Sequence, residues 1–230
     1  MSEGPLLVVI DGPAGAGKST AARRLADRLG AFYLDTGAMY RACTLRALRL
    51  GTDLSEGAAL AAVVDGTELE LLPDGPEGKC RVLLAGEDVS EAIRTREVTN
   101  SIHYLADEPL VRERLVARQR ALAAAHSGTI VAEGRDLGSV VFREAQVKVY
   151  LDASVTERAR RRGEDLGEVA PAPKVLEEEI AARDRRDTTR LVGPLTQAAD
   201  AHYLDSSFMT LDEVVDHVEG LVAAARRARC

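Results

Sequence analysis

The chain has 230 residues, 46% of them hydrophobic and 29% charged, with a formal net charge of −7. This composition is ordinary for a globular protein, and the length predicts one domain, 1–230, with room for a modest insertion. A net acidic chain argues against a general nucleic-acid binder, because such proteins neutralise phosphates with a basic face.

Cysteine usage and the apolar segments indicate the compartment. Cys43, Cys80 and Cys230 are far apart and form no C-x-x-C pair, so neither a disulfide framework nor a zinc site is predicted. The apolar run 6–10 stops at Asp11 and is too short for a secretory signal. No segment approaches the ~20 apolar residues of a membrane helix. We therefore expect a cytoplasmic protein with no membrane partner.

The first elements alternate between strand and helix. The continuous apolar run 6–10 predicts a strand buried on both faces. A helix is predicted over 18–29, where apolar and small residues recur at helical spacing until Gly30 stops it. A short strand over 32–34 and a helix over 39–50 follow. This order predicts an α/β fold with a parallel sheet.

The pattern changes between about residues 67 and 88. The segments 68–72 and 80–84 flank a Pro-Asp-Gly-Pro turn and predict a hairpin, which is a small β insertion. The prolines and acids of 163–173 predict a mobile loop. The remaining predicted elements are helices over 95–102, 109–125, 155–164, 174–188 and 211–226, and strands over 129–132, 147–151 and 201–204.

The turn after the first strand carries the chemistry. Residues 12–19 match G-x-x-x-x-G-K-[ST] in full, between a predicted strand and a predicted helix. The glycines let backbone N–H groups surround phosphate oxygens, and the helix N-terminus adds positive potential. Lys18 is predicted to reach the β- and γ-phosphates of ATP and Ser19 to ligate Mg²⁺. The alternative, a Gly-rich turn with no ligand, is disfavoured by the complete motif.

The nucleotide-binding prediction extends over the whole P-loop and to one arginine of a later helix. Arg158 belongs to a basic cluster with Arg160, Arg161 and Arg162. Such a cluster is by default a solvated helix face, but a phosphate motif in the same chain favours a phosphate role. The predicted ATP-binding residues are Gly12, Pro13, Ala14, Gly15, Ala16, Gly17, Lys18, Ser19, Thr20 and Arg158.

A P-loop alone does not identify the acceptor, since regulatory GTPases, ATP-driven motors and small-molecule kinases share it. The sequence has no guanine-reading N-K-x-D segment, and the strand over 147–151 runs into Asp152-Ala153 rather than into adjacent acids. A kinase is therefore favoured. The alternatives are a kinase for another monophosphate or for a small metabolite such as shikimate, and a nucleotide-binding switch that changes partner affinity.

Two further strand ends carry polar segments, and the carboxyl ends of parallel strands meet at one edge of a sheet. Asp-Thr-Gly-Ala-Met-Tyr-Arg at 35–41 is either a capped helix start or an acceptor-phosphate site. Glu-Gly-Arg-Asp at 133–136 is either a salt-bridged turn or a pair of ligands, and ligands are favoured. A second basic cluster, over 183–190, follows the predicted loop.

Several motifs in this order resemble the bacterial cytidylate kinase family of P-loop nucleoside monophosphate (NMP) kinases, nearly from end to end. The motifs lie at 11–20, 34–41, 86–89, 93–94, 133–138, 183–190 and 194–195. The resemblance implies an NMP-kinase fold in which helices flank a central parallel sheet, with a β-containing NMP-binding insertion and an arginine-rich lid. It places the core at about 1–38, 104–154 and 191–230, the insertion at 39–103 and the lid at 155–190.

The same resemblance implies a (d)CMP kinase of pyrimidine nucleotide metabolism, monomeric and cytoplasmic, which uses ATP with Mg²⁺. It assigns the acceptor phosphate to Thr36, Arg41, Arg135 and Arg190. It assigns the ribose to Arg183 and Asp187, and the cytosine to Arg112, Asp136 and Ser101. The implied catalytic residues are Lys18, Arg135 and Arg190. The chain departs from the family where a base-contacting Ser is common, since it has His103 there, with Ser101 two positions earlier.

Overall fold

The structure, a computed structural model, describes residues 4–74, 79–167 and 170–229. Its strands are β1 Leu6–Asp11, β2 Phe32–Asp35, β3 Leu69–Asp74, β4 Lys79–Leu84, β5 Glu87–Asp88, β6 Thr129–Glu133, β7 Val147–Asp152 and β8 His202–Asp205. Its helices are α1 Lys18–Leu29, α2 Thr36–Arg49, α3 Gly57–Asp65, α4 Arg96–Ala106, α5 Pro109–Ala125, α6 Val155–Leu166, α7 Pro173–Thr189 and α8 Leu211–Arg229. The single turns are Ala92–Arg94 and the π-helical Leu137–Val141.

Five strands form a parallel sheet in the order β2-β6-β1-β7-β8. β1 is buried along its whole length, as is typical of a central parallel strand that is covered on both faces. Because all five strands run in one direction, their carboxyl ends meet at one edge. Each of the five strands ends in an acidic residue, namely Asp11, Asp35, Glu133, Asp152 and Asp205.

Alternate residues of β1 face two different apolar layers, as the period of two in a strand requires. Leu7 and Val9 belong to a cluster that contains side chains of α2, α3 and α5. Val8 and Ile10 belong to a second cluster, built with α1 and α8. Helices therefore cover both faces of the sheet, which confirms the predicted α/β class with a central parallel sheet.

A small antiparallel sheet, in the order β3-β4-β5, is inserted between α3 and α4. Its buried side chains Val82 and Leu84 pack with Ala38 and Ala42 of α2. The predicted hairpin at 67–88 is confirmed in the described residues. Of its predicted Pro-Asp-Gly-Pro turn, the last two residues lie outside them.

α6 and α7 pack on each other through a cluster much smaller than the two beside the sheet. Its buried members are Ala159, Leu176 and Ile180. The first turn of α7 contains Pro173, whose missing N–H would have no partner in a helix there anyway. Little apolar area is available to hold this helical pair together, so its polar contacts carry more weight than those beside the sheet.

The differences from the predicted elements have local causes. α2 begins at Thr36 instead of residue 39, because Asp35 caps it. α3 has no predicted counterpart, since apolar residues occur all round its nine positions and no stripe marks it. The predicted loop 163–173 is shorter, because α6 continues to Leu166, and residues 168–169 lie outside the described part. Among described residues, no helix is long and apolar enough to cross a membrane.

Candidate active site

The Gly-rich motif forms the turn from β1 into α1. Gly12 has φ +149°, and a Cβ there would lie 2.0 Å from the carbonyl oxygen of Leu151. Gly15 has φ +77°, and its Cβ would lie 3.2 Å from Cβ and from the carbonyl oxygen of Arg158. Only glycine fits both positions. The loop therefore has the compact backbone that the motif predicts, and α1 begins at Lys18.

Lys18 is buried at the start of α1, and its Nζ donates to the Pro13 carbonyl at 2.6 Å. Burial, followed by repulsion from Arg135, lowers the pKa of Lys18 to about 7. A buried ammonium beside another cation is costly unless an anion neutralises it. Lys18 is therefore suited to bind a strongly anionic ligand.

Ser19 contacts an acidic residue that the sequence analysis gives no role. Its Oγ donates to Oε1 of Glu133 at 2.5 Å, and the Tyr33 hydroxyl donates to the same oxygen at 3.1 Å. Glu133 ends β6, the strand between β1 and β2, and this position could have identified it. One hydroxyl and one carboxylate fit Mg²⁺, which prefers oxygen ligands and takes most of them from phosphates and water. No cluster of three acidic, His or Cys side chains suited to a metal occurs in the described residues.

The segment at 35–41 contains a helix cap. Asp35 Oδ1 accepts the N–H of Ala38 at 2.8 Å, and the Thr36 hydroxyl donates to the Glu133 carbonyl at 2.7 Å. To donate to a phosphate instead, the Thr36 hydroxyl has to rotate. Arg41 lies one turn further along α2 and donates to Oγ1 of Thr99 at 3.0 Å. Asp35 is thus a helix cap, as one of the two interpretations predicts. Thr36 and Arg41 lie in the first turns of α2, next to the edge of the sheet.

A group of like charges surrounds the P-loop lysine. We define this cation group as Lys18, Arg41, Arg135 and Arg183, whose charges act on one another. Burial, followed by repulsion from Arg135, lowers the pKa of Arg183 to about 9. Arg183 donates no hydrogen bond to any residue in the described part of the chain. Arg135 donates to Oδ2 of Asp187 at 3.0 Å.

Arg135 and Asp136 form ion pairs with other residues, so no ion pair between the two closes this turn. Asp136 Oδ2 accepts from Nη2 of Arg112, and both side chains are buried. Gly193, at φ +59°, lies against this pair, since a Cβ there would be 2.4 Å from Asp136 Oδ2. Arg190 has two buried nitrogens, Nε and Nη2, with no hydrogen-bond partner among the described residues.

Two arginines of α6 brace the P-loop backbone. Arg158 donates through Nη1 to the Ala14 carbonyl at 3.0 Å and to Asp184 of α7 at 2.5 Å. Its Nε donates to the Ala153 carbonyl at 2.9 Å. Arg161, which the sequence analysis does not assign, donates to the Ala16 carbonyl at 3.3 Å. The α6–α7 pair is thus attached to the P-loop through guanidinium groups.

The predicted base contact from α4 has the least structural support. Ser101 is half-buried and makes no hydrogen bond with its side chain in the described residues. His103 Nδ1 lies 2.8 Å from the Asn100 carbonyl oxygen, and its ring packs on Tyr104 with 4.1 Å between centroids. The structure therefore brings the P-loop and the arginines together but does not place Ser101 in a polar contact.

Comparisons with known proteins agree along nearly the whole chain. A family model described as cytidylate kinase matches residues 8–224. A cytidylate kinase of Pelotomaculum thermopropionicum is 48% identical over 96% of this chain and 97% of its own. A cytidylate kinase of Geobacillus kaustophilus is 48% identical over 94% of this chain and 95% of its own. A solved gluconokinase of Sinorhizobium meliloti aligns with 99% of this chain and 98% of its own, with a TM-score of 0.49 and 15% identity.

Proposed function

This chain belongs to the cytidylate kinase family, and from that premise we propose how its site divides between two substrates. The protein is an ATP-dependent kinase that converts CMP and dCMP to CDP and dCDP. The observation that carries the division is the cation group: three arginines close to the P-loop lysine make four positive charges, which require more than one anionic group.

On the donor side, the P-loop of 12–20 holds the phosphates of ATP. Lys18 exchanges its hydrogen bond with the Pro13 carbonyl for one with the β- and γ-phosphates. Ser19 and Glu133 would hold Mg²⁺, which neutralises phosphate charge when it is bound. Arg158 keeps Ala14 in place and approaches ATP from α6.

On the acceptor side, the phosphate of CMP neutralises part of the positive charge of this site. Thr36, Arg41, Arg135 and Arg190 bind its oxygens. Arg190 supports this role because two of its buried nitrogens have no partner among the described residues. A guanidinium can bind two phosphate oxygens at once, and that fixes the direction of the acceptor.

The rest of CMP lies towards the buried ion pair. Arg183 and Asp187 bind the ribose, and Arg112, Asp136 and Ser101 bind the cytosine. A carboxylate is a matched acceptor for the N4 amino group of cytosine, whereas uracil has an acceptor oxygen there. In the structure, Asp187 accepts a hydrogen bond from Arg135 at 3.0 Å. We propose that this bond breaks when CMP binds, because Arg135 then binds the phosphate and Asp187 the ribose.

The chemistry needs no nucleophilic side chain. An oxygen of the CMP phosphate forms the new bond to the γ-phosphorus, and the bond from that phosphorus to the β,γ-bridging oxygen breaks as ADP leaves. Positioning and charge stabilisation account for the rate, and Lys18, Arg135 and Arg190 supply them. The α6–α7 pair belongs to the lid of 155–190, which excludes water that would otherwise take the phosphoryl group. For the core and the insertion we propose the division that the family resemblance implies.

The test is steady-state kinetics with ATP, Mg²⁺ and a panel of monophosphates. CMP and dCMP are expected to give the highest kcat/KM, with UMP at least a hundredfold lower. A higher kcat/KM for AMP or GMP, or no transfer to any monophosphate, would contradict the assignment of the acceptor site. Cytoplasmic location, a monomeric state and the absence of a nucleic-acid partner remain predictions.

A further inference from the structure

Asp11 is a buried acidic residue between the P-loop and the base-binding turn, and the proposed mechanism gives it no role. It is the last residue of β1 and precedes Gly12. By the alternation of β1, its side chain lies on the same face as Leu7 and Val9. Only 5% of its surface is exposed. A carboxylate so deeply buried needs strong hydrogen-bond donors.

Its donors are two backbone N–H groups of the π-helical turn. Oδ1 accepts from Leu137 at 2.9 Å, and Oδ2 accepts from Gly138 at 2.7 Å. These groups begin the turn Leu137–Val141, so they have no partner within it. Asp11 therefore caps a turn that lies more than a hundred residues away in the sequence.

The residue expected to cap this turn is Asp136, which stands at its N-cap position. An Asp there normally accepts the N–H two or three residues further on. Asp136 makes no such bond, and its carboxylate pairs with Arg112 instead. Asp11 thus caps the turn in place of Asp136. The Asp136 carboxylate is therefore available to Arg112 and, under the proposed function, to cytosine.

We propose that Asp11 is a positioning residue for base selection, acting through Asp136; this inference rests on the base-binding role proposed above. When Asp11 is replaced by Asn, the side-chain amide still accepts one N–H but turns a donor towards the other. The uncapped N–H group then competes for the Asp136 carboxylate. Asp136 turns towards its own backbone, and the cytosine loses its acceptor.

The experiment measures kcat/KM for CMP and for UMP, with dissociation constants by calorimetry as a second readout. Asp136→Asn is expected to lower the CMP-to-UMP ratio at least tenfold. Asp11→Asn is expected to lower it at least fivefold, mainly through a higher KM for CMP. In the double variant the ratio should be no lower than in Asp136→Asn alone, because Asp11 acts through Asp136.

Asp35→Asn is the matched control. Asp35 is also a buried carboxylate at the end of a strand of the same sheet, and it caps α2 by accepting from Ala38 at 2.8 Å. α2 carries the phosphate-binding Thr36 and Arg41, which CMP and UMP share. Asp35→Asn should therefore change the KM values for both monophosphates together and keep their ratio within twofold.

The outcomes separate the two proposals. If Asp136→Asn lowers the ratio but Asp11→Asn lowers CMP and UMP use equally, Asp11 is merely structural and the base assignment stands. If Asp136→Asn leaves the ratio unchanged, the base assignment itself fails, and the role of Asp11 fails with it. Should Asp11→Asn not fold, Asp11→Ser retains one acceptor, and the same comparison applies with an expected loss of at least threefold.

Discussion

The edge of the parallel sheet and the α6–α7 pair both hold buried charges, but they hold them differently. At the sheet edge, Asp11 and Asp35 accept backbone N–H groups that the fold keeps in place. In the α6–α7 pair, Asp184 accepts from the guanidinium of Arg158 at 2.5 Å. Asp187 likewise accepts from Arg135. Backbone donors are permanent, whereas a guanidinium can exchange one anion for another.

Apolar packing also holds the sheet more firmly than it holds the α6–α7 pair. The sheet lies between two extensive buried clusters, while α6 and α7 share a small one. A region that is attached mainly by exchangeable ion pairs can open at a modest cost in free energy. The sheet edge therefore fixes the reacting groups, and we expect substrate anions to compete for the contacts that hold the α6–α7 pair.

The largest expected effect concerns the sheet edge and separates function from stability. Lys18→Ala should lower kcat at least a hundredfold, since loss of a charged contact to the transferring phosphoryl group costs ~3 kcal/mol or more in the barrier. The free energy of unfolding should change little, because this lysine is buried against other cations. Steady-state kinetics and urea unfolding measure the two effects.

Lys148 is the matched control for Lys18. It is a buried lysine of β7, and its Nζ donates to Asp200 at 2.7 Å and to the Arg143 carbonyl at 2.5 Å. Lys148→Met should lower the free energy of unfolding by about 1–2 kcal/mol and kcat by less than threefold. If Lys18→Ala retained more than a tenth of wild-type kcat, the P-loop would not be the catalytic centre.

The second effect is a pH dependence of stability at Asp11. Burial raises the pKa of Asp11 from 3.8 to about 6. The folded state then binds this proton more tightly than the unfolded state, so the stability that Asp11 contributes is present below pH 4 and is lost as pH rises through about 6. The free energy of unfolding of wild type minus that of Asp11→Asn should increase by roughly 2 kcal/mol between pH 7 and pH 4.

Subtracting the variant removes the contribution of Asp35, the other sheet-edge carboxylate whose pKa burial raises to about 6. Urea unfolding at several pH values measures the difference. A difference that stays constant, or that shrinks towards pH 4, would mean that Asp11 is not desolvated as the fold indicates.

The features of this site that depend on neighbouring residues in the chain could be predicted from the sequence, whereas contacts between distant residues could not. The P-loop turn is determined by its own residues, because φ values such as that of Gly12 admit only glycine. The strands of the sheet also carry their own signal, an apolar run between turn residues. These features depend on neighbours in the chain, which a single sequence displays.

The partners of the charged residues depend instead on strand order. Glu133 meets Ser19 because β6 lies beside β1, and these two residues are 114 positions apart. Asp11 caps Leu137 for the same reason. Ser19 is therefore predictable from its motif, whereas Glu133 is recognisable in the sequence only as an acid at a strand end, and its contact with Ser19 is not. Arg161 was missed because a helical arginine that braces the P-loop backbone looks the same in sequence as a solvated one.

The third effect tests whether an arginine of the cation group serves the acceptor. Arg41→Ala should weaken CMP binding about tenfold or more, because a charged phosphate contact is lost, while ATP binding changes less than twofold. Arg49→Ala is the control on the same helix, since Arg49 pairs with Glu87 at the surface and should leave both affinities unchanged. Calorimetric titrations measure both. Loss of ATP affinity with CMP affinity unchanged would place Arg41 on the donor side.

The smallest effect bears on the α6–α7 pair. Asp184 holds α7 to Arg158 of α6, and its other oxygen, Oδ1, is buried with no partner among the described residues. Asp184→Asn keeps the shape but turns a charge-assisted hydrogen bond into a weaker one to a neutral amide, so the opening of α7 should become easier by about 1 kcal/mol. Amide hydrogens of α7 should then exchange about fivefold faster, while those of β1 keep the wild-type rate.

Glu179→Gln is the control for this measurement, because Glu179 lies on the same helix but pairs with Arg96 at 3.5 Å on the surface, with half of its side chain exposed. It should leave the exchange of α7 unchanged, since such pairs contribute little. Hydrogen exchange followed by mass spectrometry measures the exchange rates of α7 and β1 in both variants. Faster exchange in β1 as well as α7 would show that Asp184 supports the whole fold, and the contrast between a fixed sheet edge and an exchangeable helical pair would then be wrong.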